Sequence, residues 1–307
     1  MKVWAILNPR AGVAGRRAQQ AVEDYRHRRG DLEVRVTERP GHARELAQEA
    51  VREGATTVLA VGGDGTANEV AGGLLGTSAT LGLVPVGSGN GLARTLGIPL
   101  RPDGALAALE AAVTRSMDVG LVNDQPFLNV AGAGFDAAVG AAFHANSAQG
   151  GRRGVLNYVR LALTKINYQA ERWVLTAGDQ QFEGRALIVA FVNGRQYGGG
   201  AVIAPRARLD DGLLDLVVIE DASRLQILAN APRVFLGTIE GFRRYRHLTA
   251  TSAVLTSSGP FGHHRDGEPE PSSNGLEVRV QPHALRILVP RHIAEDPTGP
   301  FGSSGTE

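Results

Sequence analysis

Apolar residues in the first third of the chain fall in short runs, each followed by a turn and then by a helical spacing. Residues 3–7 (Val-Trp-Ala-Ile-Leu) are uninterrupted and apolar, as in a buried strand, and the turn "NPRAGVAGR" follows. Residues 16–29 carry a helical pattern, and residues 32–37 alternate apolar with polar positions, as a half-buried strand does. A second helical pattern covers 42–53, with Gly54 as its stop. Strand 57–61 runs into "GGDGT" and a helix over 66–75, and strand 81–86 runs into "GSGNGLAR" and a short helix. Residues 103–113 are helical and alanine-rich. Strands alternating with helices predict a parallel sheet covered by helices. Sheets of this kind bind ligands at the carboxyl ends of their strands. Three glycine-rich turns, 8–15, 62–66 and 87–91, would then share one edge.

After about residue 120 the rhythm changes. Strand-like runs at 127–132, 172–177, 185–193, 213–219, 251–257, 276–280 and 285–289 dominate, interrupted by helical patterns at 135–146, 155–168 and 223–236. The expected fold class is α/β with two domains. An N-terminal α/β domain with a parallel sheet would cover 1–122, and a β-rich, largely antiparallel domain 123–290. Residues 291–307, rich in Pro, Gly, Ser and acids, are expected to be a flexible tail.

Composition narrows this picture only a little. The 307 residues carry a formal net charge of +1, so no strong global field points to nucleic acid. There are no cysteines, which excludes disulfides and thiolate metal sites. No run of 18 apolar residues suggests a spanning helix, and the N-terminus lacks the pattern of a signal peptide. The expectation is a cytoplasmic protein.

Candidate chemistry sits in the turns. Glycines in "GGDGT" let a backbone approach phosphate, and the following helix offers free N–H groups. Asp64 does not suit a bare phosphate cradle. A bound Mg²⁺, which takes carboxylate and phosphate oxygens together, would reconcile the two. The plainer reading is that Asp64 or Thr66 caps the helix. "PVGSGNGLAR" (85–94) is a second phosphate candidate through Ser88, with Asn90 as either donor or cap. It lacks the Gly-Lys-Ser/Thr of a Walker loop. "NPRAG" (8–12) offers Asn8 and Arg10, or simply an Asn-Pro turn.

Farther on, "HHRDGEPEP" (263–271) places Asp266 and Glu268 two residues apart, on one face if the segment is extended. One carboxylate could take a proton from a hydroxyl. The alternative is an Asp-Gly surface turn, with His263 and His264 as solvated neighbours. "LDDGLLDLVVI" (209–219) places Asp210 and Asp211 where a second metal or an Asp-Gly hairpin would fit. "PFLNVAGAGFDAAVG" (126–140) could line a pocket for an apolar chain, or allow close packing through small residues. The basic "FRRYRH" (242–247) suggests peripheral contact with anionic lipid, or a solvated strand or helix end.

Taken in order, "NPRAG", "VGGDGTANEV", "LGLVPVGSGNGLAR", "FLNVAGAGFDA", "DDGLLD" and "DGEP" resemble the diacylglycerol kinase catalytic-domain family. That family includes sphingosine- and ceramide-kinase relatives and small bacterial lipid kinases. The resemblance covers residues 3 to about 290. It implies a nucleotide-binding α/β domain, a β-sandwich-like domain and an active site between them. It implies ATP with Mg²⁺ and transfer of the γ-phosphate to a lipid hydroxyl presented at a membrane. By position, Asn8 and Thr37 fall among the nucleotide contacts. Gly62, Gly63, Asp64, Gly65, Thr66 and Asn68 fall in the phosphate loop, and Ser88 falls in the second loop. In the mechanism this implies, Mg²⁺ near Asp64 offsets charge on the β- and γ-phosphates, which makes Asp64 a catalytic candidate. Asp266 and Glu268 fall in the motif that supplies the base, and family members differ over which acid serves. Asp211 falls at a structural magnesium site, with backbone carbonyls from Arg208 and Leu213. Asp118, in "MDVG", matches an acid linked through water to the catalytic metal.

The usual diacylglycerol kinase pattern has Asn-Asp after the second turn, where this chain has Asn90-Gly91. "GSGN" followed by a small residue is closer to the sphingosine and ceramide kinase branch, which leaves the lipid open. Two other readings stand beside the lipid kinase: a soluble small-molecule kinase of the NAD kinase type, and a non-catalytic nucleotide- or lipid-binding relative. Localisation is expected to be cytoplasmic with peripheral contact at the inner membrane face. A homodimer is allowed.

Overall fold

A computed structural model describes residues 2–11, 15–148, 164, 168–198 and 200–302. The chain forms two compact units and does not divide between them at a single point. The first holds Met1–Asp118, Leu209–Asp211 and Pro282–Glu307, and the second holds Val119–Arg208 and Gly212–Gln281.

The first unit is built on parallel strands. They are β1 (Val3–Leu7), β2 (Leu32–Val36), β3 (Thr57–Gly62) and β4 (Thr80–Pro85), with the last part of β15 (Glu268–Pro290). The order is β2-β1-β3-β4-β15, and each of these pairs is parallel. β1, β3 and β4 are buried at every residue. Continuous apolar runs of this kind suit a sheet covered on both faces. The helices are α1 (Gly15–Arg29), α2 (His42–Arg52), α3 (Asp64–Leu74), α4 (Gly91–Thr95) and α5 (Pro102–Glu110). In α2 the buried residues Ala43, Leu46, Ala47 and Ala50 recur at helical spacing. Glu69 of α3 accepts from the Gly41 and Ala43 N–H groups at 2.9 and 3.1 Å, so its carboxylate serves the open N-terminus of α2.

Between Ala112 and Val122 the chain is a strand, β5, of which sequence periodicity showed only the helix before it. α3 begins at Asp64, two residues before the expected start. The shift matters, because it places the acid in the first turn of the helix.

The second unit is antiparallel. Its strands include β6 (Gln125–Phe127), β7 (Val130–Gly134), β8 (Glu171–Ala177), β9 (Gln180–Val192), β10 (Gln196–Gly198), β11 (Ala201–Val202), β12 (Leu214–Glu220), β13 (Tyr245–Ala250) and β14 (Ser252–Arg265). Two long strands each pair with three others. β9 pairs with β8 over one half and with β7 and β12 over the other. β14 pairs with β8 near its start and with β7 at its end. The result is sandwich-like, with Phe127, Trp173, Leu175, Phe191, Leu216, Leu255 and Leu276 in its core. Helices α6 (Phe135–Ala148) and α7 (Arg224–Phe235) belong to this unit. The helix expected over 155–168 falls, apart from positions 164 and 168, outside the described residues.

Residues 291–302, expected to be part of a flexible tail, have fixed partners in the first unit. They open with the short helix α8 (Arg291–Ala294). Phe301 is buried, with the Arg115 guanidinium 5.1 Å from its ring centre. The Pro300 carbonyl accepts from Leu209 N–H at 2.7 Å, and Arg115 donates to the Gly302 carbonyl at 2.9 Å. A polar, Pro- and Gly-rich composition concealed one apolar anchor.

Candidate functional site

Register places the candidate nucleotide residues of the first unit on one sheet edge. Leu7 is opposite both Val36 and Val61, and Gly62 is opposite Pro85. The residues that follow β1, β2, β3 and β4 therefore leave the sheet at one level: Asn8, Thr37, Gly63 and Val86. Backbone bonds continue across them, from Asn8 N–H to Val61, Thr37 N–H to Leu7 and Val86 N–H to Gly62, each 2.9 Å. The Asn8 side chain donates to Thr66 Oγ1 at 3.0 Å and accepts from Arg10 N–H at 3.0 Å. Asn8 thus ties the first turn to α3.

The turns at 62–66 and 87–91 approach each other closely. A Cβ added to Gly87 would lie 2.6 Å from the Gly63 Cα, which a real side chain cannot tolerate. One added to Gly89 would lie 2.9 Å from Asp64 Oδ2. Without a side chain, Gly89 lets the Asp64 carboxylate pack closely against its backbone. Asn90 adopts a left-handed conformation (φ 51°), donates to the Gly87 carbonyl at 2.8 Å and is buried. Its Oδ1 has no hydrogen-bond partner. Gly63, not Asp64 or Thr66, is the residue that caps α3, and it makes no side-chain cap bond. The capping reading of Asp64 therefore gives way to an acid in the first turn of the helix, close against Gly89 of the second turn. One carboxylate plus phosphate oxygens and water suits magnesium, which seldom needs a full protein cage. Gly65 and Ser88 lie on the same two turns and Asn68 on α3 just beyond the first, each half-buried.

The other candidate metal residues divide. Asp118, on β5, is fully buried and accepts from His283 N–H at 2.7 Å. Arg208, Asp211 and Leu213 lie on the irregular stretch before β12. Asp210 is committed elsewhere. Its carboxylate meets Arg115 at 3.0 Å and accepts from Gly302 N–H at 2.6 Å, which overturns its reading as a metal ligand. Among the described residues no group of three or more His, Asp or Glu side chains is arranged to hold a metal ion.

In the second unit, Asp266 and Glu268 do not share the face of an extended segment. Asp266 (φ 49°) and Gly267 (φ 85°) form the two-residue turn between β14 and β15, with Arg265 paired to Glu268. Both central residues at positive φ are what a tight hairpin demands, and Asp-Gly supplies them. The Asp266 carboxylate accepts from the backbone N–H groups of Leu128, Asn129 and Val130 at 2.8, 2.8 and 3.1 Å. Glu268 is exposed at the start of β15.

His263 and His264 are buried, not solvated. Burial, the largest cause, lowers the His263 pKa below its usual value, and nearby His264 adds to this; Glu270 opposes it. His264 Nε2 lies 3.0 Å from Asp136 Oδ2, and its Nδ1 accepts from Gly267 N–H at 3.3 Å. That arrangement puts the ring proton on Nε2, facing the carboxylate. Tyr197 also donates to Asp136, whose Oδ1 accepts from Ala137 N–H at 2.8 Å. The network Tyr197–Asp136–His264–Gly267 supports the turn from beneath. Sequence reasoning passed over Asp136 and Tyr197. The signal available was a lone acid in the charge-poor stretch "AGAGFDAAVG".

Comparisons with known proteins bear on this geometry. Residues 2–122 match the diacylglycerol kinase catalytic domain, and residues 129–289 match the YegS C-terminal NAD kinase beta sandwich-like domain. A probable lipid kinase YegS-like from Pseudomonas aeruginosa is 35% identical over 296 residues, covering 94% of each chain. One from Chromohalobacter salexigens is 36% identical over 299 residues, covering 95% of this chain and 94% of its own. Among solved structures, a putative diacylglycerol kinase from Bacillus anthracis superposes with a TM-score of 0.79 at 25% identity, covering 94% of this chain and 95% of that one. An NAD kinase from Archaeoglobus fulgidus, solved with ATP, shares the fold alone, with a TM-score of 0.53 at 12% identity. The turns, the acid-bearing hairpin and these end-to-end matches together make the chain a member of the YegS-like, diacylglycerol kinase-related family of lipid kinases.

Proposed function

We propose that the protein transfers the γ-phosphate of ATP to a hydroxyl group of a membrane lipid. The observation that carries the reading is the meeting of the two glycine turns beside Asp64, on the edge where β1–β4 end. Backbone N–H groups of the α3 N-terminus suit phosphate oxygens. The buried, unpartnered Asn90 Oδ1 is an acceptor awaiting a donor such as a nucleotide hydroxyl or amine. Asn8, Thr37, Gly62, Gly63, Gly65, Thr66, Asn68 and Ser88 would orient the nucleotide. Asp64 would hold magnesium, which when bound would offset charge on the β- and γ-phosphates. Asp118 and the 208–213 stretch, through Asp211 and the Arg208 and Leu213 carbonyls, would support metal-linked structure.

Asp266 or Glu268 would accept the proton of the attacking lipid hydroxyl. Three N–H donors hold the Asp266 carboxylate in a fixed orientation, and the His264–Asp136 pair steadies the turn on which both acids stand. Phosphoryl transfer depends mainly on such positioning and on charge.

The test is transfer of labelled γ-phosphate to detergent-dispersed diacylglycerol, monoacylglycerol, phosphatidylglycerol, sphingosine and ceramide, with NAD as a further acceptor. Turnover on one or more lipids and none on NAD is expected, and it should be lost in Asp64→Asn while the fold is kept. Transfer to NAD alone would assign a small-molecule kinase. Nucleotide binding without any transfer would assign a non-catalytic relative.

A further inference from the structure

Helix α7 (Arg224–Phe235) turns an apolar face outward. It has no buried residue. Among the described residues seven large hydrophobic side chains are exposed, and four of them fall here: Leu225 at 80%, Leu228 at 46%, Phe235 at 51% and Leu236 at 73%. Isolated exposed leucines need no explanation, but a contiguous group does.

Their spacing shows a stripe. At about 100° per residue, Leu225, Leu228, Ala229, Pro232, Phe235 and Leu236 fall within an arc of roughly 120°. Ile227, Asn230 and Val234 fall on the opposite side, and Val234 packs against the core cluster that includes Ile239 and Phe242. Arg224 and Arg233 lie just outside the two borders of the stripe. No acid occurs from Arg224 to Phe235. A capping box supports the helix: Ser223 Oγ accepts from Gln226 N–H at 3.3 Å, and Gln226 Oε1 accepts from Ser223 N–H at 3.0 Å. The helix is therefore held with its apolar stripe facing water.

We infer that α7 is an interfacial docking helix, whose stripe enters the headgroup region of an anionic bilayer while Arg224 and Arg233 meet lipid phosphates. At about 18 Å the helix is too short to span a membrane and suited to lying along one. Charge decides against a second copy of the chain. Two such helices placed stripe to stripe would set arginine near arginine, with no acid on either to offset them. An anionic bilayer supplies both the apolar interior and the counter-charge.

The basic run "FRRYRH" contributes less than its composition suggests. Arg244 and Arg246 both bind Glu220, at 3.5 and 2.6 Å, which leaves Arg243 as the exposed cation without such a pairing to Glu220. The inference rests on the lipid kinase reading only for why the protein should need a bilayer, since its acceptor would reside in one.

The experiment is co-sedimentation of the full chain with phosphatidylcholine vesicles, with and without phosphatidylglycerol, with no ATP and no acceptor lipid added. Binding to the anionic vesicles is expected, reduced about tenfold or more in the double variant Leu225→Gln/Leu236→Gln. Arg224→Gln/Arg233→Gln should bind more weakly and lose much of its dependence on phosphatidylglycerol. Both existing tryptophans, Trp4 and Trp173, are fully buried, so Leu225→Trp gives a separate readout. Its emission should shift to shorter wavelength when vesicles are added. Unchanged sedimentation of a folded double glutamine variant would overturn the inference, as would an unshifted Leu225→Trp emission. Absence of vesicle binding, with a wild-type dimer that the double variant dissolves, would reassign the stripe to contact between copies. Failure of the kinase reading itself would be seen separately, in the detergent-dispersed lipid panel.

Discussion

Replacing Asp266 with Asn keeps the size of the side chain and its tolerance of positive φ, so the hairpin turn survives. What changes is the charge and one acceptor. Oδ1 serves Asn129 and Val130 and Oδ2 serves Leu128. An amide can place its oxygen toward only one of these sides. Its NH₂ then faces a backbone N–H, donor against donor, next to the buried Leu128. A hydrogen bond to a charged group contributes about 1.5–3 kcal/mol, and an unsatisfied buried donor costs about 1–3 kcal/mol. The expected loss in the second unit is about 2–4 kcal/mol. Glu268 is exposed, and Glu268→Gln should change stability by no more than about 0.5 kcal/mol. Urea unfolding in a Trp4→Phe background reads the second unit alone, because Trp173 packs there against Phe261 with ring centres 4.8 Å apart. The variant of whichever acid is the base should lose lipid phosphorylation, but only Asp266→Asn should unfold earlier. A wild-type midpoint for Asp266→Asn would refute the claim that its carboxylate holds residues 128–130.

Gly87→Ala would drive a methyl to within 2.6 Å of the Gly63 Cα, so it should weaken ATP binding by tenfold or more, measured by calorimetry, with Gly259→Ala, where an added Cβ meets nothing within 4 Å, as the control. Phe301→Ala should destabilise the first unit by about 3–5 kcal/mol, because the ring is buried and carries the Arg115 contact; Trp4 fluorescence during urea unfolding measures it. His263 has a folded pKa below its ordinary 6.5, so the unfolded chain binds the proton more readily. Stability should therefore fall as pH drops through 6.5 toward the folded value, and His263→Leu should flatten that part of a stability–pH curve.

Much of the first unit was legible because its signals are local. Apolar runs at 3–7, 57–61 and 81–86, with glycine turns behind them, specify buried parallel strands within a few residues of where they lie. The start of α3 was less legible. A helix whose cap is a glycine carries no Ser, Thr or Asn signal, so Asp64 read as a loop residue. Strand β5 was obscured by the alanine-rich helix that runs into it. Residues 291–302 read as tail because their single large anchor, Phe301, shows no periodicity.

The sequence by itself determined the succession of strands, helices and turns, the alternation that makes the first unit parallel, and the glycine and acid spacing that marks phosphate chemistry. These properties depend on neighbours within a few residues, where backbone preference and apolar period act. Only the tertiary structure decided what the acids do. Asp210 was taken by Arg115, Asp266 by N–H groups up to 138 positions away, and Asp136 by a histidine 128 positions distant. A carboxylate offers the same two acceptor oxygens wherever it stands, and its role is set by which donors the fold brings within about 3 Å of it.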